Sequence, residues 1–406
     1  MIKTKKILLI TSVFVPEPIT SAKMNYDLAT KLTDKYDVTV LTPYPSRPEG
    51  YNYENFREAK VQFRIIRLKS FICPKSKLLG RFRESYSFGA KCADYIKHHA
   101  KEIDFVYNDG WQLFGLYEVA KACVYHNIPY MVPIQDIYPE SLLTKLPKVP
   151  LLQNIVKALL SPIDRYYIKH AACVRTISEG MVNYLSDSRN IPLKQFLPVA
   201  NWQNDDDYKH IAKKRELNEP IKFMFLGNNN AQANVDLIIR GFIEANISNS
   251  ELYIMGQGSA KKYCMGLAQA SGNKNIFFDV VPEGMTSEVQ SKADVMVLAL
   301  KKGTGTLGIP SKLTSYMLSG KPVIASVELD SDTANIVSQS NSGIVIEPDD
   351  IKALANAYVR MSAMDNTKLD SMGNNSYQYA ISKLSKKGNL ALVCSTIEKI
   401  INQNER

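Results

Sequence analysis

Cysteine is scarce and scattered in this chain of 406 residues. Cys73, Cys92, Cys123, Cys173, Cys264 and Cys394 form no C-x-x-C pair and no metal-ligand spacing, which excludes a disulfide framework or zinc site and fits a reducing compartment. The five histidines (His98, His99, His126, His170, His210) show neither ligand nor triad spacing and read as surface or helix residues. Long apolar runs are missing too: no stretch reaches the ~18 residues of a membrane span, so any membrane contact is expected to be peripheral. Glycine is absent from residues 12–25, SVFVPEPITSAKMN, which follow the first predicted strand. That removes the G-x-G-x-x-G turn with which an NAD-binding oxidoreductase would hold a pyrophosphate.

What is present suits a large α/β protein. With 45% hydrophobic residues the chain exceeds one ordinary core and fits two domains of about 200 residues each. Net charge is +10, and it is uneven: residues 1–200 carry 28 Lys+Arg against 18 Asp+Glu, whereas 201–406 carry 22 of each. Residues 57–83 hold nine cations (Arg57, Lys60, Arg64, Arg67, Lys69, Lys75, Lys77, Arg81, Arg83) against Glu58 alone, interleaved with Phe71, Ile72, Leu78, Leu79 and Phe82. Such a segment suits either an anionic membrane surface or a solvated charged face. No aromatic RNA-binding signature or recognition helix accompanies the charge, so a nucleic-acid partner is not expected. Lys3, Lys5 and Lys6 before the apolar run 7–15 resemble the start of a signal peptide, but the run ends in Pro16-Glu17-Pro18 and a helix follows at once. A buried first strand in a cytoplasmic protein is the expectation.

The rhythm of the chain is βαβ. Strand 6–15, helix 22–32 and strand 37–42 open it; apolar runs at 63–68, 104–107, 130–134 and 173–177 follow, with helices at 114–126 and 151–169. Residues 201–220, NWQNDDDYKHIAKKRELNEP, are polar without periodicity and read as a linker. Strands then recur at 221–226, 252–255, 276–278, 295–298, 323–325 and 344–346, between helices at 235–245, 261–270, 287–291, 311–318 and 351–361. The expected organisation is a Rossmann-like domain 1–200, a linker 201–220, a second Rossmann-like domain 221–380, and a C-terminal segment 381–406 whose helix, near 390–402, crosses back to the first domain.

Chemistry concentrates in residues 302–325, KGTGTLGIPSKLTSYMLSGKPVIA. A Gly/Thr loop leads through Gly308-Ile309-Pro310 into a helix whose N-terminal N–H groups, Ser311 and Lys312 would suit a diphosphate. A capped helix after a glycine-rich loop is the plain alternative. The phrase IPSKLTSYMLSGKPVIA, 309–325, resembles the donor loop of family 4 GT-B glycosyltransferases, in the form seen in enzymes of O-antigen and capsule synthesis. FVPEP (14–18), QDIYPES (135–141), ISEGM (177–181) and GQG (256–258) keep the family order along nearly the whole chain. Within the family the likeness is to N-acetyl-L-fucosamine transferases.

The resemblance implies an α/β GT-B fold, two doubly wound domains facing a cleft, and a retaining transfer from a UDP-sugar to a lipid-linked oligosaccharide at the inner face of the cytoplasmic membrane. It implies donor contacts at Asn228, Gln232, Gly256, Gly258, Thr306, Gly308, Ile309, Pro310, Ser311, Lys312 and Ser315. The two glutamates usual in the family are replaced by Leu307 and Ser315, the usual arginine and lysine by Asn228 and Ala233, and the usual histidine by Gln135. Diphosphate charge would therefore rest on Lys312, which with Asp136 is the catalytic candidate. Thr20, Ser21 and Lys23 are expected at the acceptor, although helix capping explains them equally well. The D-x-D at Asp205-Asp206-Asp207 sits in the polar linker, so no metal and no other cofactor is expected. The competing functions are a GT-B nucleotide-sugar epimerase and a non-catalytic nucleotide-sugar-binding protein.

Overall fold

A computed structural model describes the chain except residues 1–4, 55, 59, 74–76, 144–145, 209–215, 217–218, 283, 304–307 and 404–406. Lys3, Lys75, His210, Thr306 and Leu307, singled out above, lie outside the described residues. By contact the chain falls into two units: residues 1–177, 182–199 and 390–406 make the first, 178–181 and 200–389 the second.

The first unit is built on seven parallel strands, β1 Lys6–Thr11, β2 Asp37–Pro43, β3 Arg64–Leu68, β4 Phe105–Asp109, β5 Tyr130–Ile134, β6 Cys173–Thr176 and β7 Phe196–Pro198, in the order β3-β2-β1-β4-β5-β6-β7. KILLIT in β1 is buried almost throughout, as expected of a central strand covered on both faces. The order reverses direction between β1 and β4, leaving a crevice beyond the carboxyl ends of these two strands.

Two features of this unit differ from expectation. The first strand stops at Thr11, where the side chain turns back to donate to Val13 O (2.7 Å). Within the basic segment 57–83, residues 64–68 form β3 and residues 78–83 open a 22-residue helix, Leu78–His99. That helix escaped the sequence reading because its buried face mixes Glu84, Ser85 and Gly89 with Phe88, Cys92 and Ile96, which blurs the apolar stripe. Gly89 is required there: a Cβ would lie 2.6 Å from Gly115 Cα of the neighbouring helix Phe114–Tyr125.

The second unit has six parallel strands, β8 Ile221–Leu226, β9 Ser250–Met255, β10 Ile276–Asp279, β11 Val295–Ala299, β12 Val323–Ser326 and β13 Gly343–Ile346, in the order β10-β9-β8-β11-β12-β13. Here the reversal lies between β8 and β11. One side of the sheet packs Phe223, Phe225, Ile239, Phe242, Leu354 and Tyr358; the other packs Met296, Leu298, Leu313, Tyr316, Met317 and Val337.

The stretch read as a featureless linker is partly packed. Trp202 and Tyr208 are buried, and the Asp205 carboxylate accepts from the backbone N–H groups of Lys386 and Lys387, the latter at 3.3 Å. It thus caps the last helix, Lys386–Gln403. From residue 390 onward that helix belongs to the first unit, where Glu398 pairs with Lys35 (2.8 Å). A further helix, Asn366–Lys383, was not foreseen; it buries Leu369, Gly373, Ser376 and Ala380, a face too small and polar to register as hydrophobic periodicity.

Candidate functional site

The helix Ser311–Leu318 forms because Leu313, Tyr316, Met317 and Leu318 all find the core, and Pro310 sets its entry with extended backbone and no side-chain cap. Tyr316 anchors it: its hydroxyl donates to Leu226 O (2.8 Å) and accepts from Leu226 N–H (2.9 Å), tying the helix to the end of β8. This holds the positive end of the helix at the crevice where ligands enter doubly wound sheets.

Gly227, directly after β8, carries φ +152°, and a Cβ there would lie 2.2 Å from Lys312 Cε. Its glycine therefore makes room for the lysine stem. The ammonium lies 3.5 Å from Asn228 O and 5.1 Å above the centre of the Phe225 ring. Among the described residues it has no carboxylate partner within ion-pair distance, and burial lowers its pKa from the usual lysine value. A half-buried, unneutralised ammonium beside an uncapped helix N-terminus favours a bound anion.

Other expected donor residues fall into different roles. Ser311 and Asn228 are exposed, Gly308, Ile309 and Pro310 half-buried. The Gly308 N–H lies 3.4 Å from Asp332 Oδ2. Gln232 is exposed, and its carbonyl accepts from Lys301 N–H (3.3 Å). Gly256 and Gly258 are needed by the backbone itself: a Cβ on them would lie 2.2 Å from Gly227 O and 2.1 Å from Asn229 O.

Ser315 requires a correction. Its buried hydroxyl accepts from Gln290 Nε2 (2.7 Å), donates to Gln290 Oε1 (3.1 Å) and lies 2.9 Å from the Tyr208 hydroxyl. The side chain is spent inside the protein, not presented to a ligand. No group of three or more His, Cys, Asp or Glu among the described residues could hold a metal. A second D-x-D, Asp330-Ser331-Asp332, was passed over in the sequence; Ser331 caps the helix Asp332–Gln339 by accepting from Ala334 N–H (3.1 Å).

In the first unit a cavity of about 440 Å³ opens beyond β1, β4 and β5, lined by Ser12, Ser21, Arg81, Asp109, Trp111 and Asp136 among others. Of the acceptor and catalytic candidates, Ser21 and Asp136 line this cavity, with Asp136 exposed; Thr20 and Lys23 are exposed and do not line it. Capping does not explain Thr20 and Ser21, since Ile19 precedes the helix Thr20–Leu32 without a side-chain cap.

Arg81, Trp111 and Asp109 were missed. Two guanidinium groups stand over the Trp111 ring, Arg47 at 4.3 Å and Arg81 at 4.0 Å from its centre. The buried Glu84 carboxylate accepts from both, at 2.8 and 2.9 Å. Two of the nine cations of residues 57–83 are likewise committed inside the protein: Arg81 here, and Arg67, which pairs with Glu58 (2.6 Å) and donates to Pro43 O and Val15 O. Asp109 ends β4 with its carboxylate buried, accepting from Asn25 Nδ2 (2.6 Å), which also donates to Thr11 Oγ1 (2.8 Å). Burial pushes its pKa up to about 7, against the opposing pull of the Asn25 hydrogen bond and Arg175.

Residues 21–202 match the family described as glycosyl transferase 4-like domain, and residues 220–363 the family glycosyl transferases group 1. A probable glycosyltransferase of Pseudomonas aeruginosa, WbjE, is 21% identical over 251 residues, or 59% of this chain; the match spans 61% of that relative's length. Among solved structures, Anabaena HepE in complex with UDP aligns at a TM-score of 0.67 and 13% identity, covering 97% of this chain and 100% of that one. The lipopolysaccharide outer core galactosyltransferase WaaB gives 0.67 and 14%, covering 99% and 100%. With a 4-like domain followed by a group 1 domain, each on its own doubly wound parallel sheet, the chain belongs to the GT-B glycosyltransferases.

Proposed function

We propose that this chain transfers a sugar from a UDP-sugar to a lipid-linked glycan acceptor in the synthesis of a surface polysaccharide such as lipopolysaccharide, with the second unit holding the donor and the first the acceptor. The observation that carries the donor side is Lys312: an ammonium without a carboxylate partner, beside the open N-terminus of helix Ser311–Leu318 at the crevice between β8 and β11. As the bond between sugar and diphosphate breaks, negative charge grows on the leaving oxygen. Helix N–H groups and Lys312 stabilise that charge more than they stabilise the intact donor, which is the condition for catalysis. Asp136, exposed at the first-unit cavity, contacts the acceptor. HepE binds UDP and WaaB is a galactosyltransferase; family likeness adds retention of configuration and an N-acetyl-L-fucosamine donor to this reading.

On this reading catalysis needs no divalent metal, since Asp205 caps a helix and the diphosphate charge is met by Lys312. Acceptor-dependent UDP release should survive saturating EDTA nearly unchanged with a soluble acceptor analogue. Abolition by EDTA with rescue by Mg²⁺ or Mn²⁺ would refute the metal-free route. UDP release without any acceptor would favour an epimerase, and no turnover with any donor a binding protein.

The same reading sets the chain peripherally on the inner face of the cytoplasmic membrane, and the support shifts from residues 57–83 to another element. Among the described residues no helix is long and apolar enough to cross a membrane. The helix Pro150–Lys169, however, has no buried residue from 151 to 163. Leu151, Ile155 and Leu159 form an i, i+4, i+8 stripe, with Leu151 71% and Leu159 68% exposed. Every exposed charge from Lys148 to Lys169 is positive (Lys148, Lys157, Arg165, Lys169), while Asp164 is buried. An apolar stripe flanked by cations matches an anionic bilayer surface. Binding to phosphatidylglycerol vesicles is expected to weaken with salt and to be lost in the variant Leu151→Gln, Ile155→Gln, Leu159→Gln. Equal binding to neutral vesicles, or an unaffected variant, would refute this surface.

A further inference from the structure

The buried carboxyl of Asp109 stands at the end of β4, at the reversal point of the first sheet, and lines the first-unit cavity. Of the two carboxylates lining the cavity, Asp136 is exposed and Asp109 is 8% exposed. Around it stand further groups without partners: Asn108 Oδ1 on β4 itself, and Trp111 Nε1 and Gln112 Oε1 just after the strand, are buried atoms with no hydrogen bond, and Trp111 and Gln112 line the same cavity. Native proteins leave few such atoms unpaired, and a group of them at the end of one strand points to a ligand that completes the set. Ser12 and Ser21 add hydroxyls, while Phe82, Trp111 and Tyr138 add aromatic surface. A cavity of about 440 Å³ is large enough for a small ligand.

We propose that this cavity binds a sugar ring of the acceptor and that Asp109 is its specificity-determining anchor, its carboxylate accepting hydrogen bonds from ring hydroxyls. This deepens the acceptor reading given above and rests on it. The charged and titratable groups acting on Asp109 are Arg175 on β6 and Tyr107 on its own strand, and Arg81 and Asp136 line the same cavity; Asn25 donates to its carboxylate and to Thr11 Oγ1 without charge. Tyr107 is held up to about 12 by burial and stays neutral. Asp109 is therefore the group that titrates near neutrality, at about 7. A sugar hydroxyl donating to the carboxylate stabilises the ionised form, so binding expels the carboxyl proton to solvent and tightens as pH rises.

The test uses the full chain with methyl α-glucoside, methyl α-galactoside and methyl N-acetyl-β-glucosaminide as probes, followed by saturation-transfer NMR titration at pH 6 and pH 8. With a carboxyl near 7, the ionised fraction and hence the affinity rise about tenfold over that interval. Asp109→Asn keeps the shape and can still accept from Asn25, so it should fold, bind UDP normally and show no pH dependence for the glycoside. Asp136→Asn should keep the wild-type dependence. Failure of the wild-type chain to bind any of the three glycosides, affinity independent of pH, or the same dependence in Asp109→Asn would each overturn the assignment. A wild-type chain that binds glycoside but not UDP would sink the donor reading and leave this cavity standing.

Discussion

Lys312→Ala is expected to raise the dissociation constant for UDP by about 10- to 100-fold, corresponding to the ~1.5–3 kcal/mol of a charge-assisted hydrogen bond. The magnitude follows from what surrounds the lysine. Asn228 stands where the family usually has a cation and is exposed beside it without charge, so no second side-chain cation in that loop can take over. The stem is lodged over Gly227 and Phe225 and is positioned before the ligand arrives, which limits the entropy lost on binding. Lys312→Arg should recover only part of the loss, because a planar guanidinium does not fit the space that Gly227 leaves for a slender chain. Unchanged UDP affinity in Lys312→Ala, measured by calorimetry, would remove Lys312 from the donor site and with it the metal-free route.

Arg189→Ala should destabilise the first unit by about 3–5 kcal/mol, the range for breaking a buried ion pair from one side. Arg189 donates through Nε to Asp164 (2.7 Å), through both terminal nitrogens to Glu140 (2.8 and 2.7 Å), and to Tyr138 O (2.8 Å). Its side chain is 4% exposed and that of Asp164 2%, so truncation strands a charge where water cannot reach it. Arg189→Lys should restore little, since one ammonium cannot serve both carboxylates in that fork geometry. Urea unfolding would settle the matter; a loss below ~1 kcal/mol would show that the network is dispensable. The network reaches function through Tyr138, which lines the first-unit cavity two residues after Asp136. Acceptor binding is therefore expected to fail in this variant before UDP binding does.

Much of the fold could be read from the chain because its strands are buried on both faces and appear as short continuous apolar runs. KILLIT and VMVLA need no periodicity argument. Helices were harder where small or polar residues do the packing. In Asn366–Lys383, Gly373 abuts the backbone of Gly320, so close that a Cβ would meet Gly320 O at 2.3 Å. Nothing in the local pattern announces such a contact.

At the site the division is sharper. Residues 308–318 revealed a turn, a helix start and a lysine, because glycine, proline and a following apolar face are local signals. They did not reveal that Tyr316 would bolt that helix to Leu226, 90 residues away, or that Gln290 and Tyr208 would turn Ser315 inward. The glycines of GQG looked like ligand contacts, yet their need arises from the backbone of Gly227 and Asn229 lying against them. Asp109 was invisible in the sequence for the same reason. A carboxylate acquires a pKa near 7 only when distant parts of the chain take away its water: Asn25, 84 residues earlier, and Arg175 on another strand close around it. The positions of most strands along the chain, the helix at residue 311 and the uneven charge were determined by local sequence, through composition, propensity and burial pattern. Which side chains stand unpartnered toward a ligand, and which are consumed inside, was decided by long-range packing, since desolvation and hydrogen-bond satisfaction are properties of the assembled surroundings.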